Sequence, residues 1–242
     1  MQLSAPIYSL KRAARHLSRA AKIPLHAALN RIAQQEGYGS WSLLAAKNAD
    51  TAPAARLYSH LEPGDLMLIG ARPGHGKTLL ALELLVEAMK DGKAGWFFTL
   101  EYTERDIRER FRDLGLEPSQ FDDRFSFDCS DAISAGHIVE KLASAPRNAL
   151  IAVDYLQLLD QRRETPPLKE QVRTLKAFAK ERDLVVVCIS QIDRSYDPAL
   201  KPCPDLTDVR LPNPVDLTLF DRACFLNDGK LRLHTEPTEL HI

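Results

Sequence analysis

Apolar runs and helical repeats alternate along most of the chain beyond residue 60. The apolar runs are short and bounded by turn residues, which is typical of buried strands, whereas apolar residues at intervals of three or four predict helices. This alternation predicts an α/β protein with a mostly parallel sheet flanked by helices. The predicted strands are Leu66–Ala71, Gly95–Leu100, Phe125–Asp128, Leu150–Leu159, Leu184–Ser190, Arg222–Asn227 and Leu231–Thr235, and the predicted helices are Thr78–Lys90, Glu104–Leu114, Ser134–Ala145 and Leu168–Arg182.

Residues 1–47 show a different pattern and are predicted to form a small amino-terminal helical module. An amphipathic helix is expected over Ser9–Lys22, and a second helix is expected between Pro24 and Gly37. Six basic residues and no acidic residue precede Glu36, so the module is positively charged. Such a run can contact a nucleic acid backbone, although it more often simply faces solvent. The candidate nucleic acid contacts are Lys11, Arg12 and Arg15, and the side chains expected to close the module's core are Tyr38, Trp41, Leu43 and Leu44.

Length and composition are consistent with one further domain, predicted over residues 61–242, and a linker over residues 48–60. The chain carries 32 Lys and Arg against 33 Asp and Glu, so any nucleic acid contact needs a local basic patch rather than a global field. The four cysteines show no C-x-x-C spacing, which favours reduced thiols over zinc ligands or disulfides. No apolar stretch approaches the roughly 18 residues of a membrane span, and no signal-peptide core is visible. We therefore expect a soluble cytoplasmic protein.

Phosphate binding is predicted where the strand Leu66–Ala71 turns into the following helix. Glycines allow the backbone to curve around an anion, so that amide groups and the helix N-terminus point at it. Lys77 would reach the β- and γ-phosphates, and the Thr78 hydroxyl would bind Mg²⁺. The pattern G-x-x-x-x-G-K-[ST] fails only at its first glycine, where Ala71 stands and Gly70 comes one residue too early. An ordinary strand-to-helix turn is the alternative. The predicted nucleotide-binding residues are Arg72, Pro73, Gly74, His75, Gly76, Lys77, Thr78 and Leu79.

Three further polar residues follow predicted strands, at the sheet edge where open α/β proteins bind ligands. Asp154 would support Mg²⁺ together with Thr78, unless it only caps a helix or joins an ion pair. Glu101 would act as general base on the attacking water. Gln191 would sense the γ-phosphate. The predicted catalytic residues are therefore Glu101, Lys77 and Gln191, although each of the two strand-end residues alone could be an ordinary strand terminus.

Five segments together resemble successive motifs of the DnaB-type replicative DNA helicases. They are residues 70–78, 98–101, 151–158, 189–195 and 206–210, and they appear in the order of that family. The Ala-Arg-Pro wording of the loop and the sequence Asp-Tyr-Leu-Gln distinguish the resemblance from other nucleotide-loop proteins, and Ala71 is tolerated in that family. The resemblance covers about Leu61 to Asn227.

The resemblance implies a RecA-like P-loop NTPase core that binds Mg²⁺ and ATP and assembles as a homo-oligomeric ring, such as a hexamer, on single-stranded DNA. It implies that Lys77 and Thr78 bind phosphate and Mg²⁺, that Glu101 activates water, that Asp154 supports the metal and that Gln191 couples hydrolysis to movement. Loops near the Pro-rich residues 198–214 approach DNA in that family. Arg194 and Arg210 could contact DNA there, or they could pair with Asp193 and Asp208.

The sequence also departs from the family at both ends. The primase-associated amino-terminal domain is expected to be absent, with the basic module in its place. At the carboxyl end the family has a basic segment that reaches a neighbour's γ-phosphate, but Arg232 lies too early and Glu236 has the opposite charge. Such an arginine contributes about 10³–10⁵ in rate, so its loss would leave ATP binding with slow turnover.

These observations favour a DNA helicase-like ATP hydrolase of DNA replication, in which ATP hydrolysis is coupled to binding of or translocation on single-stranded DNA. The alternative is a nucleotide-gated regulatory module with weak or no unwinding, whose basic helices recruit DNA or a protein. A recombinase-like ATPase that forms filaments on DNA is a third hypothesis, less favoured by the wording of the motifs.

Overall fold

A computed structural model describes residues 3–4, 7–44, 53–159, 164–211, 213–227, 230–235 and 238–241. Glu236, Pro212 and the first part of the predicted linker, residues 48–52, lie outside the described residues. The helices are α1 (Ile7–Ala21), α2 (Leu25–Gln35), α3 (Pro53–Tyr58), α4 (Lys77–Lys90), α5 (Glu104–Asp113), α6 (Ala135–Lys141) and α7 (Leu168–Arg182). The strands are β1 (Leu66–Ala71), β2 (Gly95–Thr99), β3 (Phe125–Asp128), β4 (Leu150–Asp154), β5 (Val185–Gln191), β6 (Arg222–Asn227), β7 (Lys230–Thr235) and β8 (Thr238–His241).

The strands form one sheet in the order β3-β2-β4-β5-β1-β6-β7-β8. Strands β1 to β6 pair in parallel, and β7 and β8 are added as antiparallel strands at one edge. Parallel strands need crossover connections, and helices provide them. The predicted α/β class with a mostly parallel, helix-flanked sheet is confirmed, including the small amino-terminal helical module.

Both faces of the central strands β1, β4 and β5 are buried, which explains why these strands read as continuous apolar runs. Alternate side chains of β1 enter opposite cores: Leu66 and Leu68 contact the side of α6 and α7, whereas Met67 and Ile69 contact the side of α4 and α5. This packing holds β1 rigidly between β5 and β6. The loop after β1 therefore starts from a fixed point at the middle of the sheet.

Helix α5 begins as its sequence predicts. The Thr103 side chain accepts a hydrogen bond from the Asp106 amide, and the Asp106 carboxylate accepts one from the Thr103 amide, which completes a capping box. Arg110 and Arg112 lie in its last turn, where positive charge interacts favourably with the helix dipole. The C-terminal end of α5 lies against α1.

Some boundaries and one predicted burial differ from the sequence predictions. Strand β4 stops at Asp154 and a 3-10 turn, Leu156–Leu158, follows, because an apolar run that stays buried in the core need not stay extended. Helix α6 ends at Lys141 rather than Ala145, and Pro146 disfavours helical geometry in the residue before it. In the amino-terminal module, Leu43 is 59% exposed instead of buried.

The strand β8 and the helix α3 were not predicted. Helix α3 lies within the segment predicted as the linker, and Ala54 and Leu57 are buried in the core formed with α4. None of the helices in the described ranges is long and apolar enough to cross a bilayer. The boundaries proposed for the module, the linker and the larger domain stay a prediction.

Candidate nucleotide site

The loop between β1 and α4 has the conformation that its glycines predict. Gly74 and Gly76 have φ angles of 82° and 89°, a left-handed conformation that glycine adopts without strain. Gly76 is the N-cap of α4, and no side chain caps the helix there. The first amide groups of α4 are therefore available to an anion. Lys77 and Thr78 begin the helix and are both buried.

The two predicted metal-site residues lie in direct contact. The Thr78 Oγ1 donates a 2.8 Å hydrogen bond to Oδ2 of Asp154, at the end of β4. Burial raises the pKa of Asp154 to about 6, although the hydrogen bond from Thr78 and the charge of Lys77 act in the opposite direction. The two strands β1 and β4 flank β5, so the sheet itself brings this pair together.

The Asp154 carboxylate has a free oxygen that fits a metal ion. Its Oδ1 is buried without a hydrogen-bond partner in the described part of the chain, which is costly unless a ligand supplies one. Mg²⁺ takes oxygen ligands and commonly uses one or two protein groups together with phosphates and waters. Thr78 and Asp154 match that requirement.

Glu101 follows β2, the strand next to β4, and its side chain is exposed. The buried Thr99 accepts hydrogen bonds from the Glu101 and Tyr102 amides at 3.1 and 3.2 Å, which shapes the turn after the strand. The Glu101 charge is close enough to Asp154 to raise the pKa of that carboxyl, alongside the larger effect of burial. Glu101 therefore faces the same sheet edge as the metal-site pair.

Gln191 ends β5 beside the phosphate loop, since it pairs with Ala71 in the parallel register. Its carbonyl accepts a 2.8 Å hydrogen bond from the Arg210 amide, and its side-chain oxygen lies 3.4 Å from the Arg210 guanidinium. Gln157 reinforces this link, because its side-chain amide donates to Ser190 Oγ and to the Arg210 carbonyl. Several hydrogen bonds thus connect the strand end to the segment around Arg210.

The alternative ion pairs of the two loop arginines do not form. Asp208 instead lies 2.6 Å from Lys201, and Asp193 accepts a hydrogen bond from the Ser195 amide. The side chains of Arg194 and Arg210 are exposed. Their predicted contact with nucleic acid stays a prediction.

Gly70 has a packing role that explains its position one residue before the motif. A Cβ there would lie 2.6 Å from the Phe225 ring and 3.0 Å from Ile192. Gly70 belongs to β1, and Ala71, which stands at the first position of the motif, is fully buried. The departure from the glycine pattern therefore lies in the strand and not in the anion-binding turn.

Two other residues of the predicted loop bond within the protein. The Arg72 guanidinium lies 5.2 Å from the centre of the Tyr196 ring and donates to the Tyr196 carbonyl. The His75 amide donates to the Arg72 carbonyl at 3.2 Å. Pro73 and Gly74 are exposed at the tip of the loop.

A cavity beside the loop contains residues that the sequence patterns did not single out for nucleotide binding. The sequence patterns made Arg12 a candidate nucleic acid contact and predicted no functional role for the residues of α5. The capping box at the start of α5 predicts the helix but not its place beside the phosphate loop. The cavity is lined by Arg12, Gly74, Gly76, Lys77, Thr78, Leu79, Tyr102, Arg110 and Asp113.

The other two basic candidates of α1 are engaged within the protein. Lys11 donates to the Leu114 carbonyl, and Arg15 donates to the Arg112 carbonyl and lies 3.0 Å from Asp113. Basic side chains at the C-terminal end of a helix satisfy its last carbonyls and its dipole. Lys11 and Arg15 therefore dock α1 onto α5.

The model of the KaiC ATPase family matches residues 57–202, which is more than half of the chain. The chain belongs to this ATPase family. A curated relative is the replicative DNA helicase DnaB of Mycoplasma genitalium, 28% identical over 225 residues that cover 76% of this chain and 47% of that protein. The resemblance to the DnaB-type helicases is thereby confirmed, although the chain spans about half the length of such curated relatives.

Two solved structures share the fold. The structure of a DnaB-like replicative helicase matches with a TM-score of 0.61 and 16% identity, over 98% of this chain and 74% of that one. A KaiC-like protein of Pyrococcus horikoshii matches with a TM-score of 0.54 and 16% identity, over 74% of this chain and 82% of that one. At this identity the similarity establishes a RecA-like fold.

Proposed function

We propose that this chain is a DNA helicase-like ATPase that hydrolyses Mg-ATP at the phosphate loop. The observation that carries the proposal is the 2.8 Å contact between Thr78 and Asp154, beside the buried Lys77 and the uncapped start of α4. A hydroxyl, a carboxylate and a cation at a glycine turn suit a nucleotide phosphate chain with its metal ion. An ordinary strand-to-helix turn has no need for that combination.

In this proposal each residue has one task. The loop amides and Lys77 bind the phosphates, and Thr78 and Asp154 hold Mg²⁺, which when bound offsets the negative charge that develops on the phosphates. Glu101 accepts a proton from the attacking water. Gln191 senses the γ-phosphate, and its bonds to Arg210 pass the change to the loop that carries Arg210.

We further propose that hydrolysis is coupled to single-stranded DNA and that the active form is a homo-oligomeric ring, as the DnaB resemblance implies. Arg194 follows the end of β5, and the Arg210 amide bonds to Gln191 at that end. The side chains of both arginines are exposed, which supports a DNA contact there. The four free cysteines, three of them buried, are consistent with a cytoplasmic protein.

The test is steady-state ATP hydrolysis by the purified protein with and without single-stranded DNA. Lys77→Ala serves as the blank, and it should lose nucleotide binding or hydrolysis. Stimulation of the wild-type rate by DNA is expected. Full activity in Lys77→Ala would reject the assignment of the phosphate loop.

A second candidate is a nucleotide-gated binding module with weak turnover, and the docking of α1 favours it. Of the three α1 residues predicted to contact nucleic acid, Lys11 and Arg15 are already bonded to α5 next to the cavity. Nucleotide binding at that cavity could thus control whether this helix is offered to a partner. Tight ATP binding with negligible hydrolysis that ignores DNA would support this function over a motor.

A further inference from the structure

We propose that Arg12, supplied by the amino-terminal helix α1, binds the phosphate chain of the nucleotide in the same chain. The inference rests on the proposed nucleotide site and assigns it a ligand from outside the motifs. It gives Arg12 a different task from the nucleic acid contact that the sequence suggests. It also makes α1 part of the nucleotide site.

The position of α1 is held by contacts on either side of Arg12. Leu10 and Ala14 are buried against α2, and Lys11 and Arg15 bond to the last turn of α5. Residues four apart lie on one face of a helix, so Lys11 and Arg15 act together as a clamp. Arg12 follows Lys11 by one residue, about 100° further around the helix, and projects beside the clamp.

Arg12 lines the cavity that also contains Gly74, Gly76, Lys77 and Thr78. Its side chain is exposed, and it forms no ion pair or hydrogen bond with any residue in the ranges that the structure describes. The clamp thus brings a cation without a protein partner to the mouth of the phosphate loop.

The charges around the cavity leave this cation uncompensated. The carboxylate among the residues that line the cavity is that of Asp113, which lies 3.0 Å from Arg15 and 3.8 Å from Arg110. Arg110 in turn lies over the Tyr102 ring at 5.5 Å. Asp113 is therefore already shared by two arginines, and Arg12 and Lys77 leave an excess of positive charge facing the anion-binding loop.

A polyphosphate is the ligand that satisfies these groups. A guanidinium offers paired N–H donors to phosphate oxygens, and such charge-assisted bonds are the stronger kind. A nucleotide held by Lys77 and Arg12 would join the loop to α1. By thermodynamic reciprocity, ATP should then tighten the docking of α1, and docking should tighten ATP binding.

The experiment measures the dissociation constant of ATP, by calorimetry with Mg²⁺, for the full chain and its variants. Arg12→Ala is expected to weaken binding about 10-fold, as one charge-assisted bond predicts, and Arg12→Lys should recover part of the loss. Arg19→Ala is the matched control. Arg19 lies seven residues further along nearly the same face of α1, about 10 Å away, and does not line the cavity.

A second readout separates binding from a general effect on the helix. ATP should slow amide hydrogen exchange in residues 10–21 of the wild type and of Arg19→Ala, but not of Arg12→Ala. Single-stranded DNA binding should be the same in Arg12→Ala and Arg19→Ala.

The outcomes distinguish this inference from the function on which it rests. Equal ATP affinities for Arg12→Ala and Arg19→Ala, with Lys77→Ala defective, would overturn the role of Arg12 and leave the nucleotide site intact. A loss of DNA binding in Arg12→Ala at unchanged ATP affinity would return Arg12 to a nucleic acid contact. Absence of ATP binding by the wild type would overturn both proposals.

Discussion

Replacing Asp154 by asparagine is expected to stabilise the nucleotide-free protein while it weakens binding of Mg-ATP. The side chain is 1% exposed, and one carboxylate oxygen has no partner among the described residues. Burial raises the pKa of Asp154 from 3.8 to about 6. The ionised Asp154 carboxylate therefore lowers the free energy of unfolding of the nucleotide-free protein.

The magnitude follows from that difference in pKa. About two pKa units correspond to about 3 kcal/mol of stability lost when the carboxylate is ionised. The asparagine would keep an acceptor for Thr78 but bury an unpaired amide donor, at a cost of about 1–2 kcal/mol. The net gain for Asp154→Asn at pH 8 is therefore expected to be about 1–2 kcal/mol.

The gain should depend on pH in a defined direction. A carboxyl whose pKa is higher in the folded than in the unfolded state contributes stability below about pH 4, and this contribution is lost as the pH rises through about 6. The advantage of Asp154→Asn should thus fall by about 2 kcal/mol between pH 8 and pH 4.5.

Urea unfolding at both pH values, followed by circular dichroism, measures these differences, and Glu101→Gln is the control because its carboxylate is exposed at the same site. Saturating Mg-ATP should reverse the order of stability, since ligand binding to the folded state stabilises the wild type more. Two results would refute this reasoning. One is an asparagine variant that is less stable than the wild type at pH 8 without nucleotide, and the other is a gain in stability that is the same at both pH values.

Three further substitutions test other parts of the structure. Glu101→Gln should bind ATP normally but turn over about 10²–10⁴ times more slowly, and an unchanged rate in a coupled assay would remove Glu101 from the role of base. Burial raises the pKa of Glu83 to about 7, so Glu83→Gln should stabilise the protein by about 1–3 kcal/mol at pH 8 and much less at pH 5 in thermal unfolding. The exposed Glu140→Gln is the control. Equal effects at both pH values would contradict this. The buried Gln171 bonds to three main-chain groups, so Gln171→Leu should lower the free energy of unfolding in urea by about 2–4 kcal/mol. The exposed Thr174→Ala is the control. A loss no larger than that of Thr174→Ala would show that these bonds contribute little to stability.

The fold class and the phosphate loop could be predicted from the sequence because both depend on local patterns. Parallel strands with two buried faces need apolar runs, and Gly74, Gly76, Lys77 and Thr78 are adjacent in the chain. The place of Asp154 followed from a general rule, that ligands bind at the carboxyl ends of such strands. Each of these inferences needs only a short window of sequence.

The features that the sequence did not predict depend on contacts between residues that lie far apart in the chain. Lys11 and Arg15 look like a nucleic acid surface because nothing near them in the sequence is acidic, yet their partners lie about 100 residues away on α5. In the same way, an ion pair with nearby Asp208 was one of two alternatives for Arg210, whereas Lys201 contacts that carboxylate. Periodicity and charge do not reveal which of several equally charged groups will meet in three dimensions.

The contact between Gly70 and the Phe225 ring links the identities of two positions that lie far apart in the chain. Position 70 must stay without a Cβ as long as a large ring stands at position 225, because the two strands pair directly and neither can retreat. In relatives, the two positions should therefore vary together, with alanine or serine at the first accompanied by a smaller side chain at the second. If Gly70 is taken for a shifted phosphate-loop glycine, this correlation would be attributed to nucleotide binding. Its cause is instead the limited space between two paired strands.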